Sequence, residues 1–227
     1  MLQKIKGLIR ELGFLNTILH LTNYFFLRFK IPFRVFKYYF VAQRLYEKSL
    51  LPDRRGRNIG ISDIPSKVKP HPCPRPNAVI IDRYQQGAVC LGAYKEHEFA
   101  GCFWYITDKY KEDEVNCLYK LANIDSAWDF DVYVVPKFRM SPVFLKLWDD
   151  ASKHLIEQGI HWSLSRISAF NARSISSHLR MGAQLVGWAC FICTGSFQLT
   201  IASIFPFLHI SFNKSSYPVF ILMPPKN

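Results

Sequence analysis

The sequence predicts a mixed α/β fold, a twisted sheet flanked by helices. Three observations predict it. Residues 129–187 alternate strand, helix, strand, helix, strand, the order of an α/β unit with parallel pairing at its centre. Residues 87–107 carry two apolar runs around the polar turn Lys95-Glu96-His97-Glu98, a hairpin signal. Apolar residues make up 49% of the 227, and that length fits one domain with an appendage, or two small ones, with a sizeable core.

From the N-terminus, Leu2, Ile5, Ile9, Leu12, Leu15 and Leu19 recur at helical spacing with Lys4 and Arg10 between them. Pro32 interrupts. Phe33, Phe36, Phe40 and Leu45, set among Arg34, Lys37, Arg44 and Lys48, predict another helix over 33–49. Residues 1–50 are therefore expected to form a basic, aromatic, amphipathic helical arm. Residues 51–76 hold Arg54-Arg55-Gly56-Arg57 and five prolines from Pro65 to Pro76, which predicts a linker. The remainder, 77–227, is the predicted main domain. It opens with a strand over 78–84, from Ala78-Val79-Ile80-Ile81, followed by the hairpin. Residues 112–122 fit neither period cleanly. The central unit runs from the strand Phe130–Val135, stopped by Pro136, to a helix over 142–158, closed by Gly159. Next come a strand over 160–167, a helix over 174–181 ended by Gly182, and a strand from Gln184. Two last strands, 184–194 and 198–211, surround Thr194-Gly195-Ser196, with Pro206 expected to split the second or hold it at an edge.

Charge is lopsided. The first 58 residues carry twelve Lys and Arg against three Asp and Glu, most of the net +12. Because these cations alternate with aromatic and aliphatic residues, an anionic membrane surface or an acidic protein partner fits them better than nucleic acid, which ranks third. No secretion signal is expected at the N-terminus, and Leu12–Leu27 reads as too polar to span a bilayer. The six cysteines make no secreted framework. Cys190-Phe-Ile-Cys193 lies in an apolar strand, and His71-Pro72-Cys73 reads as loop. Buried thiols in a reducing compartment and no metal site are expected. The predicted location is cytoplasmic, with peripheral contact at the inner face of the membrane.

Chemistry is expected beyond the carboxyl ends of the central strands, where helix N-termini turn backbone N–H groups outward. The first junction, Val135-Pro136-Lys137-Phe138-Arg139-Met140-Ser141-Pro142, offers two cations and a helix start. The second runs from Ile167 through Asn171-Ala172-Arg173-Ser174 to His178 and Gly182. In order and spacing, residues 77–212 resemble the GNAT acyltransferase superfamily. Asn171, Ser174, His178 and Gly182 match its second motif, and Val134-Val135-Pro136 with Arg139 matches its strand and pyrophosphate loop.

The resemblance implies an acyl group moved from acyl-CoA, or from a phosphopantetheine on an acyl carrier protein, to a small-molecule or sugar amine. It implies donor binding by Tyr133, Val134, Val135, Lys137, Arg139, Met140, Ser141, Asn171, Arg173 and Ser174. An oxyanion donor is expected from a backbone N–H near Tyr133–Val135. His178 stands where the family has an acid tyrosine, and Asp131, Asp129 and Glu98 are candidate bases. Trp104 and Trp162 would wall the acyl channel. His178 is one departure from the family pattern; the other is the loop, where Pro142 and Phe144 occupy the glycine places. Pro142 removes one backbone donor and Phe144 adds bulk. The second reading, supported by the lost glycines, is a catalytically degenerate binding module of the same fold, associated with a membrane surface or an acidic partner.

Overall fold

The computed structural model describes residues 2–52 and 54–225. The fold is mixed α/β, with five α-helices and twelve strands among the described residues. The chain forms two compact units. One comprises Met1–Gln43, Lys111–Lys120 and Ser165–Asn227, the other Arg44–Tyr110 and Leu121–Leu164.

The first unit begins with helices α1 (Leu2–Leu12) and α2 (Phe14–Arg28). The helix expected over 33–49 is instead the strand β1 (Arg34–Arg44). Six of its eleven residues are β-branched or aromatic, which favours a pleated surface, and the helical spacing of its phenylalanines was coincidental. Val35, Tyr38, Phe40, Val41 and Ala42 are all buried. Strand β1 pairs antiparallel with β9 (Gln184–Thr194), β9 with β10 (Phe197–Ala202), and β10 with β11 (Leu208–Ser211). The expected 198–211 strand is thus broken in two, around a cis Phe205–Pro206 bond. Helix α5 (Ala172–Arg180) precedes β9, and Ile175 packs on Val41, Ile167 and Ala183. A short strand over Val219–Leu222 lies beside another over Leu118–Leu121. Their Tyr119 and Phe220 rings meet Phe40 of β1, the first edge-on and the second tilted.

In the second unit the sheet order is β7-β4-β3-β2, formed by Ser126–Val134, Glu98–Ile106, Val89–Lys95 and Ile59–Asp63 respectively. Strand β2 lies inside the stretch expected to be pure linker. Helix α3 (Asn77–Gln85) replaces the strand expected over 78–84. Its Val-Ile-Ile run favours a strand locally, but Pro76 sets a helix start and only Ile80 and Arg83 are buried. Helix α4 (Val143–Glu157) packs on this sheet through Val143, Leu147, Trp148, Ala151 and Leu155, every one buried. The 3.6-residue period read from the sequence puts these residues on one face. Strand β8 (Trp162–Ser168) begins in the second unit and ends in the first. The expectation of free thiols is corrected at one pair, since Cys73 and Cys102 are joined as a disulfide.

Candidate functional site

The residues expected to act fall in both units. Tyr133–Ser141, Asp131 and Glu98 belong to the second, Asn171–His178 to the first.

In the second unit, β4 and β7 pair with Trp104 opposite Asp131 and Tyr105 opposite Asp129. Phe130 is therefore the extra residue of a bulge, and its ring stacks on Tyr110 at 4.0 Å. Asp131 is buried. One oxygen accepts from Arg75 Nε at 2.7 Å and from Arg83 Nη1 at 2.8 Å, the other from Arg75 Nη2 at 2.8 Å. Both oxygens of the carboxylate expected to act as a base are thus already occupied by guanidinium donors. Asp129 accepts from Ser163 Oγ at 2.7 Å and is also buried. Glu98 pairs with Lys137 at the surface. Trp104 is a core residue between His71, Tyr84 and Phe130 rather than a channel wall. The two arginines were invisible to sequence reasoning, because Arg75 sits in a proline-rich loop and Arg83 in the segment misread as a strand.

The backbone around the β7 terminus is largely committed. The Val135 N–H donates to Ala100 O at 2.9 Å, so that amide is not the expected oxyanion donor. Gly101 lies so close to β7 that a Cβ there would stand 2.4 Å from Tyr133 O. After Val134 the chain makes a single 3-10 turn, Pro136–Phe138. The N–H groups of Phe138, Arg139 and Ser141 donate to Val135, Pro136 and Phe138 carbonyls at 2.8, 3.3 and 2.9 Å. Ser141 Oγ donates to Phe138 O at 2.6 Å. Met140 is almost wholly exposed.

Beyond this turn, α4 starts after Pro142, which supplies no side-chain cap, and has no acidic residue in its first turn; the Val143 N–H donates to Ser141 Oγ at 3.5 Å. Helix geometry leaves the first-turn N–H groups without carbonyl partners one turn back, and the helix dipole makes this end positive. Arg139 adds a full positive charge just before it, and Lys137 adds one that is offset by its partner Glu98. The chemistry such an end can perform is to hold an anion.

In the first unit, Asn171 caps α5, its Oδ1 accepting from Ser174 N–H at 3.1 Å. The spacing read as a binding motif is thus also a helix cap. Arg173 is exposed and Ser174 half-buried on the first turn. A groove of about 410 Å³ runs along α5, lined by Glu11, Ala172, Ile175, Ser176, Leu179 and Arg180. His178 is on the buried side. Burial lowers its pKa to about 4, so the imidazole is neutral near pH 7. The imidazolium acid inferred from the sequence is not the resting form, although a neutral ring still carries one N–H donor.

The first unit also holds a charged cluster that the sequence did not announce. Arg166 makes a bidentate pair with fully buried Glu112 at 2.7 and 2.8 Å and reaches Glu114 at 2.7 Å. Tyr38 donates to Glu114 at 2.8 Å, under the Arg166 guanidinium. A cavity of about 400 Å³ opens beside Glu112 and Glu114, bordered by Lys111, Gln198 and Lys214.

No protein-family model matches this chain, and no curated protein does. Among solved structures, it is similar to a GCN5-related N-acetyltransferase from Sphaerobacter thermophilus, at 12% identity and a TM-score of 0.47, over 74% of this chain and 55% of that one. A tandem GNAT protein from the clavulanic acid biosynthesis pathway matches at 11% and 0.46, over 70% and 54%. A functionally unknown conserved protein from Staphylococcus epidermidis matches at 12% and 0.47, over 74% and 64%. The chain spans about half to two thirds of the length of these three structures. The solved structures that this mixed α/β chain resembles include GNAT acetyltransferases.

Proposed function

We propose that the chain is a GNAT-like acyltransferase that takes an acyl group from a CoA or acyl-carrier-protein thioester and passes it to a small-molecule or sugar amine. The observation that carries this reading is the start of α4. The first-turn N–H groups beyond Val143, whose own N–H donates to Ser141 Oγ, together with Lys137 and Arg139 favour the pyrophosphate or phosphate of a phosphopantetheine donor. Pro142 withholds one donor from that cradle, so affinity rests more on the two cations than on backbone approach. Asn171, Arg173 and Ser174 are assigned to the pantetheine arm by their match to the family motif. The amine is taken to reach the site already neutral or to lose its proton through water, because Asp131 is engaged by two arginines. The experiment is calorimetric titration with CoA, then release of free thiol from acetyl-, octanoyl- and palmitoyl-CoA with amine acceptors.

A second reading is a catalytically silent module that holds the thioester without turning it over. The Arg75–Asp131–Arg83 cluster favours it, and donor binding without thiol release would select it.

We also propose that α1 and α2 rest on an anionic membrane surface. Helix α2 is turned inside out. Its buried residues are Asn16 and Thr17, and Asn16 bonds Lys37 Nζ at 2.8 Å and Tyr39 Oη at 2.9 Å. Phe14, Leu15, Tyr24, Phe25 and Leu27 face outward. A polar docked face with an exposed aromatic one, near Lys4, Lys6, Arg10 and Arg28, suits the interface of a bilayer. No helix among the described residues is long and apolar enough to cross one.

A further inference from the structure

Four metal-ligating side chains converge in the second unit, at positions that acyl transfer does not use. Strands β3 and β4 pair with Cys90 opposite Trp104 and Gly92 opposite Cys102. Cys90 and Cys102 therefore project from one face of the sheet as diagonal neighbours. The loop 71–75 crosses that face. Cys73 Sγ lies 3.7 Å from Cys90 Sγ and is bonded to Cys102. The ligand atoms of His71, Cys73 and Cys90 all fall within 4.8 Å of one another. All three cysteines are at most 3% exposed.

The spacing and the ligand chemistry both suit zinc. A tetrahedral ion with Zn–S bonds of about 2.3 Å holds two ligand sulfurs about 3.8 Å apart. His71 also has its tautomer fixed. Tyr84 donates its hydroxyl proton to Ile64 O at 2.5 Å, so its oxygen accepts from His71 Nε2 at 3.0 Å. That bond leaves Nδ1 unprotonated, with its lone pair accepting from the Cys73 N–H at 3.3 Å, a contact that a bound metal would replace. An outer hydrogen bond that orients a ligating imidazole is a usual partner of metal binding. Arg75 anchors the loop through its bidentate pair with Asp131.

We propose that the reduced chain binds one Zn²⁺ through His71 Nδ1 and the sulfurs of Cys73, Cys90 and Cys102. Four protein ligands leave no open position, so the site is structural. A dication is what makes buried thiolates stable. Three thiolates and Zn²⁺ sum to one negative charge, and the Arg83 guanidinium already acts favourably on the Cys90 thiolate. The Cys73–Cys102 bond withholds two ligands until it is reduced. A phosphine supplies the two electrons and becomes its oxide with oxygen from water. Two protons go to the sulfurs, giving two thiols, and coordination of Zn²⁺ then releases three thiol protons.

The test uses the full chain kept in a water-soluble phosphine. Elemental analysis after desalting should give about one zinc per chain, and Co²⁺ titration should give the intense visible bands of a tetrahedral thiolate site. Cys90→Ser and His71→Ala should each weaken Co²⁺ binding at least tenfold, while Cys193→Ser, outside the cluster, should leave it unchanged. Zinc should also shield three of the six thiols of the native wild type from a thiol reagent, a measurement that needs no variant to fold. Reduced wild type that retains no zinc and gives no thiolate bands, equal shielding with and without zinc, or a folded Cys90→Ser protein that binds like wild type would each overturn the proposal.

Discussion

Arg83 Nη1 lies 2.8 Å from Asp131 Oδ2, with both side chains less than a tenth exposed. Breaking a buried pair strands one charge in a poorly solvated place, at about 3–5 kcal/mol. Asp131→Asn should therefore lower unfolding free energy by about that much in urea melts. Any thiol-release activity should fall only with the folded fraction. A fully folded Asp131→Asn protein with activity reduced a hundredfold would return this carboxylate to the role of base.

His178 makes stability depend on pH. Its pKa is about 4 when folded against 6.5 for an ordinary histidine, so the unfolded chain binds the proton more readily. The stabilisation is complete above pH 6.5 and is lost progressively as pH falls through 4. The whole effect is about 3 kcal/mol, at about 1.4 kcal/mol per pH unit. His178→Gln should flatten unfolding free energy between pH 6.5 and 4 relative to wild type. An unchanged slope would show that the imidazole is not held neutral.

Gly101 is set by the approach of two strands rather than by a turn. A methyl group there meets the Tyr133 carbonyl at 2.4 Å and Leu147 Cδ1 at 3.3 Å. Gly101→Ala should cost about 1–3 kcal/mol, the usual penalty of overpacking, as read by a lower thermal midpoint. An unaffected midpoint would mean that β4 and β7 separate at this place without cost.

The exposed aromatic face of α2 gives a surface prediction. Phe14→Ser with Phe25→Ser should abolish cosedimentation with vesicles containing phosphatidylserine while leaving far-UV circular dichroism unchanged, since neither ring is buried. Retained binding by the double variant would refer the aromatic face to a protein partner.

The central segment was legible because its local signals agree. In 129–187, apolar period, Pro136, Gly159 and Gly182 all point to the same boundaries, and the structure has β7, α4, β8, α5 and β9 there. Two segments misled for opposite reasons. Phe33, Phe36 and Phe40 imitate a helical stripe inside a strand. The Ala78–Ile81 run imitates a strand inside a helix, where the Pro76 start and the pairing of Arg83 with Asp131 decide the outcome. Side-chain partners were out of reach. Asp131 looked like a free carboxylate because its two arginines lie 48 and 56 residues away. Similarly, His71-Pro72-Cys73 looked like loop because Cys90 and Cys102 join it only once β3 and β4 pair.

The donor-binding role of the α4 start is tested most directly by calorimetric titration of CoA into wild type and into Lys137→Glu with Arg139→Glu. Both side chains lie at the surface, so the double variant should fold normally. Wild type should bind CoA, with an affinity that weakens as salt rises, and the double variant should bind at least tenfold more weakly. Equal binding by the two proteins, or no binding by wild type, would contradict the account.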